Sequence, residues 1–80
     1  MRQAYYSILE YPLFVYGERI KELRNERNLT QKQLAEFLGT TQNAISKYES
    51  EFLDLSTDML IRMCKFFNVS ADVILGIDKY

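Results

Sequence analysis

The chain has 80 residues, with 10 Lys and Arg against 11 Asp and Glu. This length suits one domain with a small core and leaves no room for a separate catalytic domain. One cysteine and no histidine exclude an internal disulfide and argue against a zinc site. We therefore predict that the protein is not an enzyme and that it binds neither a cofactor nor a small-molecule ligand.

Without a membrane-length apolar run or a signal cleavage site, the sequence predicts a cytoplasmic protein. Its net charge of −1 means that any nucleic-acid binding must depend on local geometry.

The first sixteen residues form an apolar, aromatic arm that precedes the main domain. We divide the chain into this arm at 1–16, a domain at 17–76 and a short tail at 77–80. Residues 4–9 are the one stretch that favours an extended backbone. The arm has more large apolar side chains than a small helical domain needs: Tyr5, Tyr6, Ile8, Leu9, Tyr11, Leu13, Phe14 and Tyr16. The arm packs on its own domain, against Phe66, or it builds a homodimer, or it is disordered.

The first predicted helix runs from about Pro12 to Arg27. Proline is tolerated at the first helical position because its missing N–H would be unpaired there anyway. Ile20 and Leu23 form a narrow apolar stripe among charged residues. Gly17 is predicted to be an exposed weak point in this helix, and Asn28 is a plausible cap because asparagine tolerates the left-handed conformation.

The second predicted helix covers about 31–38 and has clear signals at both ends. Thr30 and Gln33 have the spacing of a capping box. Gly39 follows the last helical residue, at a position that usually requires a positive φ. The residues predicted to face the core are Leu34, Ala35 and Leu38.

The last two predicted helices follow the same capping rules. Ser56 would cap a helix over about 57–67 that ends at Asn68, and Ser70 would cap a short helix that ends before Gly76. The side chains predicted to face the core from the longer helix are Leu60, Met63, Cys64 and Phe67. Val69 is also predicted to enter the core. The predicted fold is all-α, a compact bundle of five helices.

The third predicted helix, about 42–49 and capped by Thr40 or Thr41, separates its polar and apolar side chains. At 100° per residue, one arc contains only hydrogen-bonding side chains: Gln42, Asn43, Ser46, Lys47 and Ser50. The opposite face contains Ala44, Ile45 and Tyr48. A solvated surface helix also has a polar arc, but it usually carries acids, and this arc has none. Amides can pair with adenine in the major groove and lysine with guanine, so the arc suits base reading.

From Gly17 to Gly76 the sequence resembles the helix-turn-helix domain of the Xre/Cro family, which includes lambda-type phage repressors. The matching runs are GERIKELRNERNLTQKQLAEFLGTTQNAISKYE and LIRMCKFFNVSADVILG. The four positions that define the motif are occupied by Gln31, Ala35, Gly39 and Ile45. The resemblance implies a lambda repressor-like bundle that binds double-stranded DNA.

The resemblance also implies roles for individual residues. The base-reading residues would be Gln42, Asn43, Ser46 and Lys47, with Lys47 reaching either a base or a phosphate. The phosphate-binding residues would be Gln31, Thr41, Lys32, Arg27 and Ser50. Arg24 and Glu49 match a pair that joins the first and third helices in relatives.

The expected function is a transcriptional regulator, a repressor that acts as a homodimer on a palindromic operator and is nucleoid-associated when bound. The alternative is an antitoxin-like module that neutralises a partner protein such as a toxin. The segment SEFLDLS after the third helix departs from the family, which usually has Asn-Gly there. Glu51 and Asp54 in this segment would repel phosphate, so we expect the loop to point elsewhere or the DNA affinity to be modest.

Overall fold

The computed structural model describes residues 16–77. These residues form five helices and no strand, as predicted: α1 (Tyr16–Glu26), α2 (Gln31–Leu38), α3 (Gln42–Glu49), α4 (Thr57–Phe67) and α5 (Ala71–Leu75). The predictions for the arm, for the extended segment at 4–9 and for a helix start at Pro12 lie outside the described residues.

Side-chain caps set the helix boundaries where the sequence predicted them. In the capping box of α2, Thr30 Oγ1 accepts from the Gln33 N–H at 3.0 Å, and Gln33 Oε1 accepts from the Thr30 N–H at 2.9 Å. Thr41, not Thr40, caps α3 by accepting from the Ala44 N–H. The four residues predicted to end helices are all left-handed, with φ values of 55° at Asn28, 72° at Gly39, 59° at Asn68 and 78° at Gly76.

The core lies where all five helices meet, and it contains one side of every helix. Its fully buried side chains, with the largest first, are Phe67, Ile20, Leu23, Leu34, Ile45, Met63 and Ile74. The buried stripe of α4 is Met59, Met63 and Phe67, a spacing of four residues. Cys64 lies at the edge of this stripe, where it is half-buried and packs against the core cluster, so its predicted core position is confirmed with partial burial. Partial burial raises the pKa of the Cys64 thiol.

Gly17 is buried, so its predicted exposure is wrong. The first turn of α1 packs against the end of α3, and a Cβ at Gly17 would collide with the backbone oxygen of Glu49 and lie 2.7 Å from Cγ of Glu51. The Gly17 N–H also donates to Oε2 of Glu51 at 2.9 Å. A glycine is needed here because two backbone segments approach closely.

Phe66 belongs to an aromatic row that crosses from α2 to α4. Its ring centroid lies 5.1 Å from that of Phe37 and 5.1 Å from that of Phe67. Phe37 is 65% exposed, so the row leaves an apolar surface on the domain. The predicted contact between Phe66 and the arm lies outside the described residues.

Candidate nucleic-acid interface

A tight turn at Gly39 joins α2 to α3. After Gly39 adopts its left-handed conformation, the Thr40 N–H returns to the Ala35 carbonyl at 2.9 Å. Arg62 of α4 also stabilises the end of α2, because its Nη1 donates to the Leu38 carbonyl at 2.8 Å. Buried Ala35 and Ile45 lie in α2 and α3, and the small alanine allows the two helices to approach. The turn therefore sets the direction of α3 relative to the domain.

The polar arc of α3 faces solvent. Gln42, Asn43 and Ser46 are exposed, whereas Ile45 and Tyr48 on the other face are buried. Within residues 16–77, the side chains of Gln42, Asn43 and Ser46 make no hydrogen bond to the domain. Three predicted base-reading residues therefore share one surface, with donors and acceptors available to an external partner.

Arg24 and Glu49 form an ion pair between α1 and α3. Nε of Arg24 lies 2.6 Å from Oε2 of Glu49, and Nη2 lies 3.1 Å from Oε1. The third guanidinium nitrogen, Nη1, donates to the Leu29 carbonyl at 2.7 Å. The two side chains are only 11% and 6% exposed, so each charge depends on the other for its compensation.

Gln31 joins this pair from the start of α2. Its Nε2 donates to Oε1 of Glu49 at 3.1 Å. The family resemblance implied a phosphate contact for Gln31 and an ion pair for Glu49, and no pattern in the sequence predicted a bond between them. The helical repeat shows which face of a helix a residue occupies, but it does not show which residue of another helix it contacts.

Lys47 and Ser50 lie at the end of α3. Nζ of Lys47 is 6.0 Å from the ring centroid of Phe52, and Oγ of Ser50 donates to the Lys47 carbonyl at 3.2 Å. Lys47 is half-buried and Ser50 is exposed. Both residues therefore lie at the same end of the polar arc.

The loop after α3 contains two acids, of which Glu51 is half-buried and bonded to α1. The Glu51 carboxylate accepts from the Gly17 N–H, while Asp54 is exposed. The Tyr16 hydroxyl donates to the Leu53 carbonyl at 3.2 Å. Burial, followed by the negative charges of Glu51 and Asp54, raises the pKa of the Tyr16 hydroxyl. The sequence does not indicate this role of Glu51, whose φ of 62° is unusual for a residue with a side chain.

The other predicted phosphate ligands differ in their surroundings. Lys32 and Thr41 are exposed near the first residues of α2 and α3. Arg27 is already engaged, because its Nη2 donates to the Phe67 carbonyl at 2.8 Å and its guanidinium carbon lies 5.0 Å from the centre of the Phe67 ring. These contacts stabilise the packing of the residue that follows α1 against the end of α4.

The comparisons with known proteins agree with this architecture. A helix-turn-helix family model matches residues 20–74. The chain therefore belongs to the Xre/Cro-like helix-turn-helix family.

Curated relatives include two transcriptional regulators and an antitoxin. The regulator ImmR of Bacillus subtilis is 41% identical over 63 residues, which cover 79% of this chain and 50% of its own length. The activator BcrR of Enterococcus faecalis is 42% identical over 61 residues, or 76% of this chain and 30% of its own. The antitoxin PezA of Streptococcus pneumoniae is 40% identical over 63 residues, or 79% of this chain and 40% of its own. The chain thus spans half or less of the length of these relatives.

No solved structure matches the chain significantly. Between residues 16 and 77, no helix is both long and apolar enough to cross a membrane.

Proposed function

We propose that the protein is a cytoplasmic, sequence-specific DNA-binding repressor that inserts α3 into the major groove. The observation that carries the proposal is the solvent-facing arc of Gln42, Asn43 and Ser46, which make no bond to their own domain. The amide of Gln or Asn has a donor and an acceptor that can pair with the N7 acceptor and the N6 donor of adenine in the major groove. Lys47 extends this surface toward a base or a phosphate, and repression would follow from occlusion of the promoter.

Phosphate contacts would fix the position of α3 in the groove. Gln31, Lys32 and Thr41 lie at the beginnings of α2 and α3, where the first N–H groups of a helix lack intrahelical acceptors. Oγ1 of Thr41 accepts from the Ala44 N–H, which leaves its own hydroxyl hydrogen for a phosphate oxygen. Ser50 and Arg27 complete the proposed set, although Arg27 would have to bind phosphate while its guanidinium contacts Phe67. The bond from the Gly17 N–H turns Glu51 toward α1 but leaves its charge in place, so both Glu51 and the exposed Asp54 would add repulsion from this loop.

Replacing Gln42 with alanine is expected to weaken binding to the preferred sequence by about 1–3 kcal/mol and to relax the preference at one base pair. The preferred sequence would first be obtained by selecting random duplex DNA with the purified protein at two salt concentrations. Fluorescence anisotropy on the selected duplex and on a scrambled one would then measure both affinities.

Asn25→Ala provides the matched control, because Asn25 is an exposed amide on α1 outside the polar arc of α3. This variant should bind both duplexes as the wild type does. If Gln42→Ala keeps full affinity for the selected duplex, the proposed orientation of α3 is wrong. If no motif is recovered at either salt concentration, the proposal of a sequence-specific regulator fails.

The same proposal includes a homodimer on a palindromic operator, with half-sites about 34 Å apart. Its support is the apolar surface next to α3, where Phe52 is 80% exposed and Leu53 is 41% exposed. The chain enters α1 beside this surface, because Tyr16 bonds to Leu53. The aromatic arm therefore joins the domain close to a surface that a second copy would cover.

Removing residues 1–11 is expected to produce a folded monomer, because it deletes the aromatic side chains that we propose to hold the dimer. Light scattering coupled to size exclusion would give the mass, and circular dichroism would show that the helices remain. Phe52→Ser in the full chain tests the contribution of the loop separately. A truncated protein that remains dimeric would rule out the arm as the dimerisation element.

A second candidate function is neutralisation of a partner protein. The similarity to the antitoxin PezA and the exposed Phe37 ring beside Phe66 favour it. The two functions are compatible, because one surface would bind DNA and another the partner. The second function would be supported if a neighbouring gene encodes a small basic protein that co-purifies with this chain. This chain should then suppress the toxicity of that protein.

A further inference from the structure

The Glu49 carboxylate joins three helices. It belongs to α3, accepts two hydrogen bonds from Arg24 of α1 and accepts a third from Gln31 of α2. Oε1 is shared, since both Nη2 of Arg24 and Nε2 of Gln31 lie 3.1 Å from it. An ion pair between α1 and α3 alone does not explain why Gln31 is drawn into this cluster.

The charge of Glu49 determines how the Gln31 amide is oriented. An ionised carboxylate can only accept hydrogen bonds, and an amide has two donors on its nitrogen and acceptors on its oxygen. Gln31 must therefore present its nitrogen to Glu49, with its oxygen turned away. One N–H is used in this bond and the other is left. A neutral partner at position 49 would permit either orientation of the Gln31 amide.

The second N–H of the Gln31 side-chain amide lies at the start of α2, because Gln31 is the first residue of that helix. In the first turn of α2, the Gln33 and Leu34 N–H groups are already bonded to Thr30. The backbone N–H groups of Gln31 and Lys32 have no intrahelical acceptor. A phosphate oxygen at this end of α2 would meet these two groups together with the second N–H of the Gln31 amide. Since Arg24 compensates the charge of Glu49, the carboxylate repels such a phosphate less than a bare acid would.

We propose that Glu49 is a positioning residue for DNA binding, which holds the Gln31 amide so that its second N–H donates to a DNA phosphate. The inference depends on the proposed function, because it assigns Gln31 to the DNA backbone. It assigns Glu49 no contact with DNA. The buried ion pair then contributes to DNA binding indirectly, because Gln31 lies between Glu49 and the phosphate.

The first test replaces Gln31 with methionine, which has a similar shape and no donor. Affinity for the selected duplex and for a scrambled duplex is expected to fall by the same factor, about tenfold, the effect of one hydrogen bond to a charged group. Gln33→Met is the matched control: it makes the same change two residues later in α2, at a side chain that bonds to Thr30. It should lower stability and leave the affinity of the folded protein unchanged.

The second test asks whether positions 31 and 49 act together. Glu49→Gln should weaken DNA binding of the folded protein when Gln31 is present and have no further effect in the Gln31→Met background. Equal losses in both backgrounds would mean that Glu49 affects binding independently of Gln31, and they would overturn the inference. If Gln31→Met lowers the free energy of unfolding but leaves the affinity unchanged, Gln31 only joins helices and the inference is overturned. Failure of the wild type to select any motif is a separate result, which overturns the proposed function instead.

A measurement on the wild type does not depend on whether the Glu49 variant folds. Nuclear magnetic resonance can detect the coupling across the hydrogen bond from Gln31 Nε2 to the Glu49 carboxylate, in free protein and in the DNA complex. The coupling should persist in the complex, while the proton resonance of the second N–H moves when DNA is added. Loss of the coupling in the complex would overturn the inference.

Discussion

Replacing Arg24 with alanine is expected to lower the free energy of unfolding by about 3–5 kcal/mol, the range for removing one partner of a buried ion pair. The variant leaves the Glu49 carboxylate, whose side chain is only 6% exposed, with a single hydrogen bond from Gln31. It also leaves the Leu29 carbonyl without the guanidinium that donates to it. Urea denaturation followed by circular dichroism would measure the loss.

The control for this prediction is Asp58→Asn. Asp58 pairs with Arg62 at 3.0 Å, but their side chains are 72% and 47% exposed. Water screens such a pair, so its removal should cost less than about 1 kcal/mol. If Arg24→Ala costs no more than this control, the pair between α1 and α3 contributes as little as a surface pair.

Gly17→Ala is expected to destabilise the protein, although alanine is the better helix former. In an exposed helix this change would add about 1 kcal/mol of stability. At Gly17 the new methyl group would overlap with the backbone oxygen of Glu49, which cannot move without displacing the end of α3. Overpacking of this kind costs about 1–3 kcal/mol, so the sign of the change reverses.

Two further variants separate backbone overlap from other causes. Lys21→Ala changes an exposed residue of the same helix and should shift stability by no more than about 0.5 kcal/mol. Adding Glu51→Ala to Gly17→Ala removes the side-chain overlap but leaves the backbone overlap, so the stability should not recover. A net gain for Gly17→Ala alone would show that α1 and the end of α3 separate easily.

The helix boundaries were predictable because their causes are local. Thr30, Thr41, Ser56 and Ser70 each bond within three residues, so a short stretch of sequence contains the whole interaction. The burial of Gly17 was not predictable in this way. It depends on Glu49 and Glu51, more than thirty positions later, and the charged neighbours of Gly17 in α1 indicated an exposed helix.

The candidate site shows the same division. The polar arc of α3 follows from the helical repeat alone. The structure exposes four of its five residues and leaves Lys47 half-buried beside Phe52. The Arg24–Glu49 pair was predicted from the family resemblance, supported by the position of Glu49 at the border of the packed face of α3; the helical repeat alone could not identify its partner on α1. The bond from Gln31 to Glu49 has no signal in either, because three helices must be assembled before their side chains meet.

The separation of the two faces of α3 has a consequence for changing what the protein recognises. Gln42, Asn43 and Ser46 contribute no packing and no hydrogen bond inside the described domain, while Ile45 and Tyr48 anchor the helix from behind. New side chains at the three outer positions would therefore carry little risk to folding. A library randomised at these three codons should retain mostly folded members, so on the proposed base-reading role of α3 the domain would be a suitable scaffold for retargeting to other DNA sequences.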